Sequence, residues 1–209
     1  MSRNYSRSFL INSFIGICLL LTLSLSVFVA CNSKSQPEEN KPTSNITAVD
    51  ACNIISQQDV EKIFNVIVKE LKNTIQNSAA NGQSFASQCT YYIESNSFKT
   101  VAVMVNYSAK ETSPKTFDEL VARNTPKMGD VTEEQKKILD EIKDSFLTGT
   151  KINDTGKIGV WYNWAEAPSL ILYFKDHYQL IINLIGFEYN NENMEACKKI
   201  AEKLITTFK

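Results

Sequence analysis

Between Phe9 and Ala30 the chain runs for 22 residues without a single charge, preceded by Arg3 and Arg7 and followed at once by Cys31. A basic start, a Leu-dense apolar stretch and a small residue before a cut have the shape of a secretory signal. The same run also matches the length of about 20 residues that a helix needs to cross a bilayer. Either way, residues 1–30 do not belong to the globular part. The rest, residues 31–209, carries 20 basic and 23 acidic side chains, a formal charge of −3. That balance leaves no electrostatic footprint for nucleic acid. Its length suits one compact domain plus a tether.

Cys31 favours a lipoprotein signal over an uncleaved anchor or an ordinary cleaved signal. Val29-Ala30-Cys31, followed by Asn32-Ser33-Lys34-Ser35, resembles the lipobox of bacterial lipoproteins, with Phe28 where Leu is usual, a relaxed form most similar to spirochaetal examples. The resemblance implies that residues 1–30 are a signal peptide, that Cys18 leaves with it, and that Cys31 is diacylated and becomes the first residue of the mature protein. One acyl chain holds a protein only marginally, whereas two or three hold it stably, at about 0.8 kcal/mol per buried CH₂. Asn32 is not the Asp that retains many such proteins at the inner membrane, so the analogy favours the outer membrane. Residues 31–50, with Pro37, Pro42 and no aromatic ring, read as a lipidated flexible tether.

The globular domain is expected over residues 51–209. Ser56 precedes Asp59, Val60, Ile63 and Phe64, which predicts a helix from about Gln57 to Phe64, and Ile67, Val68, Leu71 and Ile75 continue the 3.6-residue period, which favours its continuation to Asn77 over the alternative that Val66-Ile67-Val68 begins a strand. A loop over Asn73 to Ser87 is expected to follow. Cys89 to Ile93 and Thr100 to Tyr107 read as a hairpin. Phe117, Leu120 and Val121 suggest a helical piece, and Thr132-Glu133-Glu134-Gln135 is a capping box for the next helix. Ile158 to Trp164, Ser169 to Lys175 and Tyr178 to Ile185 are strand candidates, and a helix from Asn191 closes the chain. This order predicts an α+β fold, an antiparallel sheet of about five strands covered by helices on one face.

Asp50-Ala51-Cys52-Asn53-Ile54-Ile55-Ser56-Gln57-Gln58-Asp59-Val60, then Cys89-Thr90-Tyr91-Tyr92 opening a strand and Met194 to Phe208 as a last helix, together resemble actinobacterial lipoproteins of unknown function and the extracellular sensor domain of certain serine/threonine kinases. The long charged helix around Lys136 to Phe146 departs from that group. The resemblance implies an α+β fold without enzymatic activity and transfers no binding residue.

Few residues offer catalytic chemistry. Beyond Cys31, the exported part has Cys52, Cys89 and Cys197, so one disulfide can close. Cys52 with Cys89 is the preferred pair and Cys52 with Cys197 its rival. Cys197 falls on the apolar stripe of the last helix and reads as an inert buried thiol. His177 is the one histidine and falls in a hairpin turn, with no Gly-x-Ser-x-Gly in the chain. Glu133-Glu134 reads as a helix start complementing the dipole rather than as an acid/base pair. No CxxC, glycine cluster or ligand spacing points to a metal, nucleotide or other cofactor.

Aromatic residues are the one feature above background. Trp161, Tyr162 and Trp164 alternate along a strand, so one set must face away from a helix layer on a single face. Exposed there, they would form a binding patch for an envelope glycan or protein ligand. The competing reading places the rings in the core. The sequence thus predicts a lipid-anchored cell-envelope protein with a non-catalytic binding or scaffolding domain. The alternatives are an envelope ligand sensor, or a hydrolase or redox protein acting through Cys197 or His177.

Overall fold

The computed structural model describes residues 49–77, 84–95, 97–126, 131–154 and 157–208. The expected signal peptide, Cys18, Cys31 and nearly all of the tether lie outside the described residues.

The Asp50 carboxylate accepts from the Cys52 amide and caps α1 (Ala51–Ile54). Ser56 starts α2 (Gln57–Phe64) with a reciprocal capping box: its hydroxyl accepts from the Asp59 amide and the Asp59 carboxylate accepts from the Ser56 amide, satisfying two end groups at once. Asn65 then enters the left-handed region at φ 51° and ends the helix. The expected continuation to Asn77 is therefore corrected, because Val68–Asn77 is a strand, β1. Its apolar spacing fits a helix, but β2 (Ser84–Ile93) offers a partner ladder, pairing Leu71 with Tyr91 and Ile75 with Ser87. The Glu61 carboxylate accepts from the Val68 amide at 3.0 Å and fixes where β1 begins. Part of the loop expected over Asn73 to Ser87 is likewise strand.

β2 forms the expected hairpin with β3 (Thr100–Ser108). Thr116 caps α3 (Phe117–Asn124), and the Thr132 and Gln135 capping box starts α4 (Glu133–Thr148). β4 (Thr150–Asp154), β5 (Lys157–Trp164), β6 (Ala167–Phe174) and β7 (Tyr178–Ile185) follow, and Asn190 caps α5 (Asn191–Thr207). Gly186, at φ 77°, ends β7 where a Cβ would fall 2.4 Å from the Phe98 carbonyl oxygen. The strands form one sheet in the order β1-β2-β3-β7-β6-β5-β4, each pair of neighbours antiparallel. The fold is α+β with an antiparallel sheet of seven strands rather than five. The added two are β1, which carries a helical spacing, and β4, whose only apolar residue is Ile152.

The covering layer also departs from the expectation of a single face. On one face α1, α2 and α5 bury Cys89, Tyr91, Val103, Val105, Leu180 and Ile182 under Val60, Cys197, Ile200 and Leu204. On the other, α3 and α4 set Leu120, Val121 and Phe146 against Val160, Ile171 and Tyr173. β6 shows why. From Pro168 to Phe174 it is buried at every residue, as a strand sandwiched on both sides must be. β2, and β3 from Val101 onward, by contrast alternate between buried and half-buried residues, so this half of the sheet is covered on one face only.

Candidate functional site

The half-covered part of the sheet presents a row structure fixed by its register. Thr74, Gln88, Met104 and Ile181 lie side by side across β1, β2, β3 and β7, and Lys72, Thr90, Ala102 and Asn183 form the next row. Ala86, Asn106 and Gln179 extend the face toward one end, and Glu70 and Tyr92 toward the other. From Ala86 to Tyr92 is about 20 Å of strand at roughly 3.4 Å per residue. Small, amide and hydroxyl side chains dominate its middle, and charges are confined to β1.

At one end α3 borders this face through a chain of hydrogen bonds. Asn106 Nδ2 donates to Gln179 Oε1 at 2.8 Å, and Gln179 Nε2 donates to Tyr173 Oη at 2.7 Å and to Asn124 Oδ1 at 3.0 Å. Asn124 Nδ2 in turn donates to the Leu120 carbonyl at 2.8 Å, and the Arg123 guanidinium sits 5.7 Å from the Tyr173 ring centre. Burial raises the pKa of the Tyr173 phenol, against the opposing Asn124 hydrogen bond and Arg123 charge. Asn106 Oδ1 is buried without a partner among the described residues. A buried acceptor left unpaired costs about 1–3 kcal/mol, so a donor reaching it gains that much.

At the far end Tyr92 is the platform. Phe98, 67% exposed, meets it edge-on with ring centres 6.4 Å apart. Lys72 Nζ lies 4.9 Å from the Tyr92 ring centre and 3.5 Å from the Glu70 carboxylate.

Comparison with protein-family models, with curated proteins and with solved structures found no match.

The three rings expected to form a patch are not brought together. Trp161 is 2% exposed and lies in the core under α1, α2 and α5, stacked on Tyr189 with ring centres 5.4 Å apart. Tyr162 points to the opposite face, where its ring meets Phe146 at 4.5 Å. Burial pushes its phenol up to about 12, against an opposing hydrogen bond with Ser169. Trp164 ends β5 half-buried, just before Ala165 and Glu166, both with positive φ. The core reading holds for Trp161 because the Tyr189 ring covers it on one face of β5, while α3 and α4 cover Tyr162 on the other. The face that carries half-buried polar side chains was legible only as the alternation of Gln88, Thr90 and Tyr92 with Cys89, Tyr91 and Ile93.

Cys52 and Cys89 form a disulfide with Cα atoms 5.1 Å apart, joining α1 to β2. Cys197 is free and fully buried, and burial raises its thiol pKa far above the usual value, so it stays protonated. His177 donates from Nδ1 to the Glu111 carbonyl at 2.8 Å and meets the Tyr107 ring edge-on. Glu133 and Glu134 lie in the exposed first turn of α4. Among the described residues no three His, Cys, Asp or Glu side chains gather as a metal site, and no helix is long and apolar enough to cross a membrane.

Proposed function

We propose that this is a lipid-anchored cell-envelope protein, tethered through Cys31, whose domain binds a neutral glycan of the envelope on the half-covered face of its sheet and catalyses nothing. The observation that carries this reading is the composition of that face. Gln88, Thr90, Asn106, Gln179 and Asn183 supply amide and hydroxyl groups within a stretch about 20 Å long, and Tyr92 with Phe98 supplies a ring platform at one end. Sugars present hydroxyl donors and acceptors on their edges and C–H groups on their faces. Amides answer the first and a partly exposed tyrosine the second. On this face the charged side chains among the described residues are Glu70 and Lys72 of edge strand β1, paired with each other at 3.5 Å, so β2, β3 and β7 carry no charge there that would select an ionic ligand.

The anchor rests on the uncharged run ahead of Cys31 and the lipobox-like Val29-Ala30-Cys31. Two measurements test the whole. Intact mass of the membrane-extracted protein should equal residues 31–209 plus a diacylglyceryl group, and a mass retaining residues 1–30 would remove the anchor. Saturable thermal stabilisation by neutral envelope oligosaccharides should be lost in Tyr92→Ala and Gln88→Ala. Stabilisation by none of a broad glycan panel, or undiminished stabilisation in both variants, would remove the binding face.

A further inference from the structure

Among the described residues β1 is an edge strand with no strand on its outer side. It is ten residues long, twice the length of β4 at the opposite edge, and every residue from Lys69 to Ile75 is exposed. Leu71 and Ile75, 37% and 43% exposed, stand on the helix-covered face by their register with Tyr91 and Ser87, yet among the described residues no helix covers them. A long edge with unpaired backbone groups and apolar side chains is a template for another strand.

We propose that a second copy of this chain supplies that strand, β1 against β1 in antiparallel order about a two-fold axis at Asn73, making one continuous sheet from two. The sequence of the edge selects this register. With the axis at Asn73, Leu71 of each copy lies opposite Ile75 of the other, so all four exposed apolar side chains of the two edges form two cross-strand pairs, the unit that stabilises a sheet. Lys72 then lies opposite Thr74, and no like charges are directly opposed. Shifting the axis to Lys72 sets the two Lys72 ammonium groups face to face, and shifting it to Thr74 sets Ile75 against Asn73. Both alternatives leave Leu71 without its apolar partner. The irregularity between Val68 and Glu70 falls outside the ladder and stops it from sliding further. Glu70 and the Tyr92 ring hold the Lys72 ammonium over the other face, away from the apolar pairs. The Asn73 amide donates to Asp50 at 2.9 Å, which steadies the strand at the axis. An isologous contact of this kind closes on itself as a dimer rather than growing into a fibre.

The test uses the full chain extracted from membranes. Asn73→Cys places two thiols at the axis, whereas Asn153→Cys places them on the opposite edge strand, β4. Under mild oxidation Asn73→Cys should give a covalent dimer on a non-reducing gel and Asn153→Cys should not. Sedimentation of the unmodified protein should give twice the mass of one chain, falling to one chain in the double variant Leu71→Lys, Ile75→Lys. Circular dichroism of that variant should match the parent, since both side chains are solvent-exposed in the monomer. A monomeric parent chain, equal crosslinking at both edges, or a dimer that survives the double variant would each overturn the proposal.

Discussion

The Tyr91 hydroxyl, near the C-terminal end of β2, donates to the backbone carbonyl of Ile55, which joins α1 to α2. Both residues are fully buried, and Cys89, two positions earlier on the same strand, is disulfide-bonded to Cys52. One strand thus grips the first helical segment at two points, and this fixes how α1 and α2 lie over the sheet. Burial first, and the Asp59 and Asp50 charges second, push the Tyr91 phenol well above its usual pKa, so it remains a donor.

Tyr91→Phe keeps the ring and removes only the hydroxyl, leaving the Ile55 carbonyl unpaired. The expected loss is about 1–2 kcal/mol, within the range for orphaned buried acceptors. For a domain of this size that is a fall of several degrees in Tm, at roughly 2–4 °C per kcal/mol. An unchanged Tm in calorimetry would show that water satisfies the carbonyl instead.

The disulfide closes a loop of 37 residues in sequence separation. Constraining the unfolded chain over that length is worth about 3–4 kcal/mol. Cys52→Ala with Cys89→Ala should lower the urea midpoint accordingly, and adding reductant should shift the parent but not the variant. A parent insensitive to reductant under denaturing conditions would contradict the bond.

Lys203 on α5 reaches across to the Asp59 carboxylate, which also caps α2 through Ser56. Burial opposes ionisation of Asp59, but the hydrogen bonds from Lys203 and Ser56 and the Lys203 charge outweigh it and lower its pKa. A carboxylate whose folded pKa lies below its unfolded value of about 3.9 contributes fully above that value and loses its contribution as pH falls through the folded one. Asp59→Asn should therefore be less stable than the parent at neutral pH, and the gap should close on acidification below pH 4. A gap constant across that range would show that the hydrogen bonds, not the charge, carry the effect.

Trp161 and Trp164 separate core from surface on one strand. Trp161→Ala should cost about 3–5 kcal/mol, as for large buried rings, because Trp161 is 2% exposed. Trp164→Ala at the half-buried end of β5 should cost distinctly less, read by the same denaturant titration. Equal losses would mean that the two rings share one environment.

The sequence by itself determined the local features. Ser56 with Asp59 and Thr132 with Gln135 mark helix starts because a side chain three residues from an amide can bond it whatever the rest of the chain does. The β-branched and aromatic runs of β3, β5, β6 and β7 mark strands for the same local reason, and the uninterrupted apolar run of β6 already encodes burial on both faces. What only the tertiary structure decided depends on partners far along the chain. Residues 68–77 carry a helical spacing and become β1 because β2 supplies the hydrogen-bonding ladder and Asn65 breaks the helix. β4 has almost no apolar signal and is a strand because β5 pairs with it. Alternation tells which side chains share a face, but it cannot say which face α3 and α4 will cover. That choice buried Trp161 and Tyr162 on opposite sides of the sheet and left Gln88, Thr90 and Tyr92 on the half-covered face.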